Sequence, residues 1–337
     1  MHDRTVRRAG APATDEGVVM AAPGALGFRL ASDRVPHERC VMRWPSLVAA
    51  NDWRGHLGAA RDTIAIIARA IAELEPVLVV TDVGEGRAAE MWLGDSVEVV
   101  ELPGHGGWMR DAGPLFVVDA AGHRIGVVPT ADAEPDRVAT KLCAHLGIEC
   151  VEAPLAVEGG ALVSDGAGRA IATTTTAGYA LPDIEREAVA RELAEWLGID
   201  DVVWLRGGPS RHVDTVVGFV DEGHVLLQTT DADADRSGAG EPGAGHRAQL
   251  EAAGLRVDVL DALPHDQVFG ETHAVPFVNL YHANGGVFVP LSGAAVDREI
   301  LHRLQGLFPT ARIIGVPGRI LAFGGGGIRR LTLPVPA

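Results

Sequence analysis

Apolar positions along the chain alternate between two spacings, and one combined unit recurs. A stretch with helical spacing ends at a Gly or Pro turn and feeds a short run rich in Val and Ile. The stretch 56–75 leads into Val77-Leu78-Val79-Val80, 134–146 into Cys150-Val151, and 183–197 into Val202-Val203-Trp204-Leu205. Two more follow, 244–253 into Val257-Asp258-Val259-Leu260 and 295–307 into Ile313-Ile314-Gly315-Val316. Recurrence of one supersecondary unit predicts an internal repeat.

Between these units lie paired strand patterns separated by turn residues. Leu115-Phe116-Val117-Val118 and Ile125-Gly126-Val127-Val128 flank Ala120-Ala121-Gly122-His123. Ala161-Leu162-Val163 and Ala170-Ile171-Ala172 flank Asp165-Gly166-Ala167-Gly168, and Val216–Val220 and Val225-Leu226-Leu227 flank Asp221-Glu222-Gly223. Each reads as a hairpin. The repeat is then about three strands plus one helix. The chain is α/β, but a plain doubly wound sheet has parallel strands alternating one-for-one with helices, which the hairpins oppose. Five small sheets around an axis, each with its helix outside, fit the pattern. Residues 1–24 are small, polar and aperiodic and read as a disordered leader; 25–337 form one domain.

Composition narrows the partners. The 337 residues are 47% hydrophobic, enough for a large core, and carry 45 acidic against 29 basic side chains, a net charge of −16. That balance excludes a nucleic acid held by its phosphates and favours the approach of cationic small molecules, with a solvated, solubilising surface as the plain alternative. Cys40, Cys143 and Cys150 form no CxxC pair, and reduced, packed thiols are expected. Arg7-Arg8 precedes no apolar run, and no stretch reaches the length of a membrane span, so a soluble cytoplasmic protein with no membrane partner is predicted.

Five blocks carry candidate chemistry. They are Gly27-Phe28-Arg29-Leu30 with Pro36-His37-Glu38 through Trp44-Pro45; Gly107-Trp108-Met109-Arg110-Asp111-Ala112-Gly113-Pro114; Glu158-Gly159-Gly160; His212-Val213-Asp214; and Tyr281-His282-Ala283-Asn284-Gly285-Gly286. A sixth stretch, Gly324-Gly325-Gly326-Gly327-Ile328-Arg329-Arg330-Leu331-Thr332, closes the chain. In order and across nearly the whole length these resemble the agmatine deiminase and bacterial-type peptidylarginine deiminase family. The resemblance implies the pentein fold, a five-bladed α/β propeller with a pseudo-fivefold repeat. It also leaves a homo-oligomer as an expectation.

A guanidinium is planar and presents a fork of N–H donors, so carboxylates hold it best. The resemblance gives that role to Asp111 and Asp214, beside Trp108, and implies a cationic guanidino small molecule as ligand. His212 would move protons to the departing ammonia and Glu158 would orient its ring. His212 and Asp214 share one face if they lie on a strand. Each has a plainer reading: Asp111 as a turn cap, Glu158 as a solvated turn residue, His212 with Asp214 as a structural pair.

The departures fall where catalysis would occur. Arg330 stands at the family's Cys, Arg329 at its His, Gly327 at its Asn, and Ala161 replaces the Asn after Glu-Gly-Gly. His105-Gly106 stands where acidic or amide residues are usual. A guanidinium is always protonated and cannot attack carbon, so the covalent thiolate step is absent. Gly324–Gly327 mark close backbone approach or unusual torsions rather than a phosphate site, since no helix or Lys follows. Two outcomes remain open. Arg329 or Arg330 plugs the pocket by pairing with Asp111 and Asp214, leaving a silent protein that binds a guanidino ligand or regulates a partner. Alternatively, C–N hydrolysis or a related rearrangement proceeds without the Cys step, with arginine recruiting an anionic group of the substrate. Retention of four polar residues favours the second, because an abandoned site has no reason to keep buried charges. No cofactor and no metal are expected, since no close ligand spacing is present.

Overall fold

Helix crossovers bring each Val/Ile-rich strand back beside the strand that precedes its helix, as a right-twisted sheet with a packed outer helix requires. In the computed structural model, residues 21–47, 53–104, 107–130, 138–174, 183–206, 212–229 and 242–337 are described. All five expected transitions are present. Leu57–Ala72 leads into Val77–Thr81, Val138–Leu146 into Glu149–Ala153, Asp183–Leu197 into Asp201–Leu205, Pro242–Ala252 into Arg256–Leu260, and Asp297–Leu307 into Arg312–Pro317.

Four units run continuously along the chain, each an antiparallel pair followed by a helix and a third, parallel strand. Their hairpins are Leu115–Val118 with Arg124–Pro129, Val163–Ser164 with Arg169–Thr173, Val217–Asp221 with His224–Gln228, and Tyr281–Ala283 with Gly286–Leu291. The strand after the helix pairs in parallel with the second strand of each. The fifth unit uses both ends of the domain. Thr332–Pro336 runs antiparallel to His37–Arg43 in the register Leu333↔Val41, and His37–Arg43 pairs in parallel with Val77–Thr81. Val77–Thr81 is buried at every residue, because its sheet is covered on both faces.

Two motif blocks serve this closure rather than the chemistry. Asn284 accepts the His37 backbone N–H at 3.0 Å and donates to the His37 carbonyl at 2.8 Å. Buried Glu75 accepts from the Asn284 N–H at 2.7 Å, pairs with His37 at 3.2 Å and takes the Tyr281 hydroxyl proton donor as well. The charge is therefore buried with its partners, which is the condition for tolerating it.

Other elements were not foreseen. Gly86–Leu93 and Glu98–Glu101 extend the unit that contains His37–Arg43, and His265–Val268 pairs with Glu271–Ala274 as a separate hairpin. Its turn places Phe269 at φ 50° and Gly270 at φ 87°, the two left-handed positions of a tight hairpin turn. The leader expected over 1–24 falls mainly on residues 1–20, outside the described residues, as does His105-Gly106. Pro23–Leu26 forms a 3-10 turn against Asp183–Leu197. Among the described residues, no helix is long and apolar enough to cross a membrane.

Candidate functional site

Short helical turns that lead into the first strand of a unit carry nearly every predicted site residue. Trp108 precedes the single turn Met109–Ala112, which holds Asp111; Glu158 precedes the 3-10 turn Gly159–Ala161; and His212 precedes the 3-10 turn Val213–Thr215, which holds Asp214. The expectation that His212 and Asp214 lie on a strand is corrected here. The chain turns before entering Val217–Asp221, with the Thr215 hydroxyl donating to the His212 carbonyl at 2.9 Å and the Asn279 amide donating to the Asp214 carbonyl at 3.1 Å. Those bonds satisfy carbonyls that a strand would have turned to a neighbour.

The turns converge on Gly160. A Cβ there would lie 3.0 Å from Asp111 Oδ1, 3.0 Å from His212 Cδ2 and 3.5 Å from Asp214 Oδ2. The Gly160 N–H donates to Asp111 Oδ1 at 2.9 Å, and Gly159 is pressed against the Arg110 carbonyl, 2.3 Å from where its Cβ would be. Glu158 and His212 meet at 2.9 Å through Oε2 and Nε2. Asp111, Glu158, His212 and Asp214 therefore lie together in one cluster.

Both arginines enter the same cluster. They ride the single helical turn Ile328–Leu331, which does follow the glycine run, contrary to the sequence reading. Arg330 donates Nε and Nη2 to Asp111 Oδ2 at 2.8 and 2.6 Å and Nη1 to the Gly325 carbonyl at 2.6 Å. Its guanidinium carbon lies 5.2 Å from the centre of the Trp108 ring, a cation–π distance. Arg329 donates Nη1 to Asp214 Oδ2 at 3.1 Å, Nε to Asp33 Oδ2 at 2.7 Å and Nη2 to the Leu162 carbonyl at 2.9 Å.

The glycine run permits this seating. A Cβ at Gly326 would lie 2.7 Å from the Trp108 ring, one at Gly324 2.5 Å from Trp53, and one at Gly327 2.2 Å from Asn279 Oδ1, while Gly325 has φ 84°. Asn279 is fully buried and accepts the Arg329 N–H at 2.9 Å. The sequence reading missed Asn279, Asp33 and Arg110. Asn279 had a signal, a lone amide in the apolar run Phe277–Tyr281; Asp33 had none.

Charge bookkeeping explains why the acids persist. Asp33 joins Arg110 Nη1 at 2.8 Å to Arg329 Nε. Burial alone would raise its pKa, but Arg110 and Arg329 outweigh burial and hold the carboxyl far below the usual range. Asp214 is fully buried, and burial pushes its pKa up against the pull of Arg329, with the nearby Asp111 charge adding to the rise. Its Oδ1 has no hydrogen-bond partner among the described residues. The acids are thus matched by the chain's own arginines, so their retention does not require an anion-bearing substrate. The anion-recruiting role expected of Arg330 is likewise displaced, because its donors already face Asp111.

Asp111, Glu158 and His212 each offer a ligand atom within 4.8 Å of the others, the arrangement among the described residues able to hold a metal ion. An ion there would share Asp111 with the Arg330 guanidinium at contact distance, and like charges that close repel strongly. No cysteine belongs to the cluster. Cys40 and Cys143 are buried and Cys150 is half-buried. Burial, with Glu75 adding to it, pushes the Cys40 thiol well above its ordinary pKa, away from nucleophilic character.

Residues 29–336 match the family model for Porphyromonas-type peptidyl-arginine deiminase. A provisionally named agmatine deiminase of Latilactobacillus sakei is 30% identical, with 95% of this chain and 99% of that protein covered. A provisionally named agmatine deiminase of Vibrio parahaemolyticus is 28% identical over 94% and 98%. Among solved structures, the agmatine deiminase of Enterococcus faecalis superposes with a TM-score of 0.84 at 25% identity, covering 95% of this chain and 98% of that one. The C. jejuni agmatine deiminase, at 19% identity and a TM-score of 0.81 over 92% and 96%, shares the fold.

Proposed function

Because the chain belongs to the Porphyromonas-type peptidyl-arginine deiminase family, we propose that it is a catalytically silent member whose own Arg330 occupies the place of a guanidino substrate. One observation carries this reading: the Arg330 guanidinium donates twice to Asp111 while Arg329 takes Asp214, so both carboxylates suited to a guanidinium are filled from within. A free guanidino compound enters only when Arg330 leaves. The protein then acts by binding, either of such a ligand or of a partner that senses the C-terminal turn. In this reading the five units close into the five-bladed pentein propeller, which gathers the turns at one end of its axis, and the protein is soluble and cytoplasmic.

Deimination needs a nucleophile to attack the guanidinium carbon, and the position before Leu331 holds a permanently protonated group instead. Purified protein is expected to release no ammonia from agmatine or peptidyl-arginine above a heat-inactivated control. A second reading, hydrolysis by activated water without a covalent step, rests on the intact His212–Glu158 contact at 2.9 Å, with Asp111 and Asp214 orienting the substrate. Ammonia release that survives thiol alkylation and disappears in His212→Ala would establish that reading and overturn the silent one.

A further inference from the structure

Two small cavities, of about 40 and 20 Å³, share a wall that includes Ser32, Asp33 and Arg329. Arg110 lines the larger cavity, and Arg34 and His282 line the smaller. Each has room for a small ion or a water molecule, and neither admits an organic ligand, whose pockets begin near about 300 Å³. Hydrogen-bond donors are left over around them. Arg110 is 6% exposed and commits Nε to the Arg329 carbonyl and Nη1 to Asp33. Its buried Nη2 has no partner among the described residues, and neither has the buried Nε of Arg34. Ser32 Oγ accepts the Arg34 N–H at 3.3 Å, which leaves its hydroxyl proton to donate.

Positive charge is left over in the same place. Arg34, Arg110 and Arg329 bring three guanidinium groups, and Asp33 and Asp214 bring two carboxylates, so one positive charge is in excess. The neighbouring pairs Arg330–Asp111 and His37–Glu75 close on themselves. His282 adds no charge near neutral pH, because burial lowers its pKa to about 4. Burial, joined by the like charge of Arg329, also lowers the Arg110 pKa against the pull of Asp33.

We propose that the larger cavity binds a monovalent inorganic anion the size of chloride. Arg110 Nη2 is its main donor, with the Ser32 hydroxyl in the cavity wall and the Arg34 charge beyond it. A water molecule in that place would satisfy the N–H but leave the charge uncompensated, and a buried unpaired charge costs more than an unmade hydrogen bond. The anion sits against the Arg110 side chain whose Nε ties Met109–Ala112 to Ile328–Leu331. It therefore binds the folded chain and not the unfolded one, and raises stability by mass action.

Thermal melts of the full chain at fixed ionic strength test the assignment, with sodium chloride replacing sodium gluconate, whose anion is too large for either cavity. The midpoint of the parent should rise and saturate, half-complete at or below about 0.15 M chloride, the physiological ionic strength. Arg110→Gln removes the donor and should lose the response, but it also strands Asp33. Ala31→Leu is the second variant: it keeps every charge, adds bulk to the wall of the larger cavity, and should lose the response as well. Crystals of the parent soaked in sodium bromide should show an anomalous scattering peak in contact with Arg110 Nη2. A parent midpoint indifferent to chloride overturns the proposal. So does a response that survives in Ala31→Leu, or bromide that binds the parent without entering the cavity.

Discussion

Arg330 places two N–H donors on one oxygen of Asp111, Nε at 2.8 Å and Nη2 at 2.6 Å, while the other oxygen accepts the Gly160 N–H. Both oxygens of Asp111 are thereby engaged by the chain itself. Arg330→Ala empties the place of the guanidinium and leaves Asp111 short of its charged partner. The variant should be less stable than the parent and should bind agmatine more tightly, by about 1.5–3 kcal/mol, the worth of a charge-assisted hydrogen bond. Calorimetric titration measures the affinity, and a thermal melt with added agmatine measures the rescue of stability. Equal agmatine binding by parent and variant would remove Arg330 from the site.

Arg330→Cys restores a thiol at the position that matters, yet we expect no citrulline-type product. A reactive thiolate needs a tuned electrostatic neighbourhood, and Arg329 stays committed to Asp33 and Asp214 rather than acting as an imidazole would. Restoring Asn at 327 is blocked as well, because a Cβ there falls 2.2 Å from Asn279 Oδ1. Measurable ammonia release from agmatine by the single Cys variant would show that the remaining site is competent and that only the nucleophile was lost.

Arg329 should matter more for folding than Arg330. Its side chain is enclosed, bonded to Asp33, Asp214 and the Leu162 carbonyl, and bordered by the Gly159 carbonyl at 3.4 Å. Removing one member of a buried charge cluster strands the others, at a cost of about 3–5 kcal/mol. Arg329→Ala should lose about that much in urea denaturation. Adding Asp214→Asn should recover part of the loss, since it discharges the stranded acid. Additive losses in the double variant would mean that the two side chains are not coupled in the way their geometry indicates.

The repeat was legible in the sequence for a physical reason. A strand covered on both faces reads as an unbroken run such as Val77-Leu78-Val79-Val80, and each run followed a helical period. The site turns were not legible as turns, because Val213–Thr215 and Gly159–Ala161 are too short to establish any period. The hairpin His265–Ala274 escaped for a related reason, its strands being polar and largely exposed. Asp33 escaped because its partners are chosen by the tertiary fold: Arg110 lies 77 residues away and Arg329 lies 296 away. The sequence reading also left the fate of Arg330 open between plug and anion receptor. Residue type alone could not decide it, since a guanidinium serves both roles, and only the seating of Arg330 against Asp111 separates them.

Acid should weaken the fold in two separable windows. Burial lowers the His282 pKa to about 4, with Arg34, His37 and Arg329 adding to the fall and Asp33 opposing it. An unfolded chain binds that proton near pH 6.5. Between those values the unfolded state therefore holds more protons, so stability is fully present above about pH 6.5 and declines toward pH 4, by at most about 1.4 kcal/mol per pH unit. Asp33 acts lower, because its folded pKa lies far below the unfolded value near 3.9. Its contribution is present above that value and is lost as pH falls further. Urea denaturation of the parent and of His282→Gln at intervals from about pH 7 to about pH 3 isolates the first window. The variant should show a flatter decline between pH 6.5 and 4 and keep the steeper loss below it; parallel curves for the two proteins would mean that His282 takes up its proton while the protein is still folded.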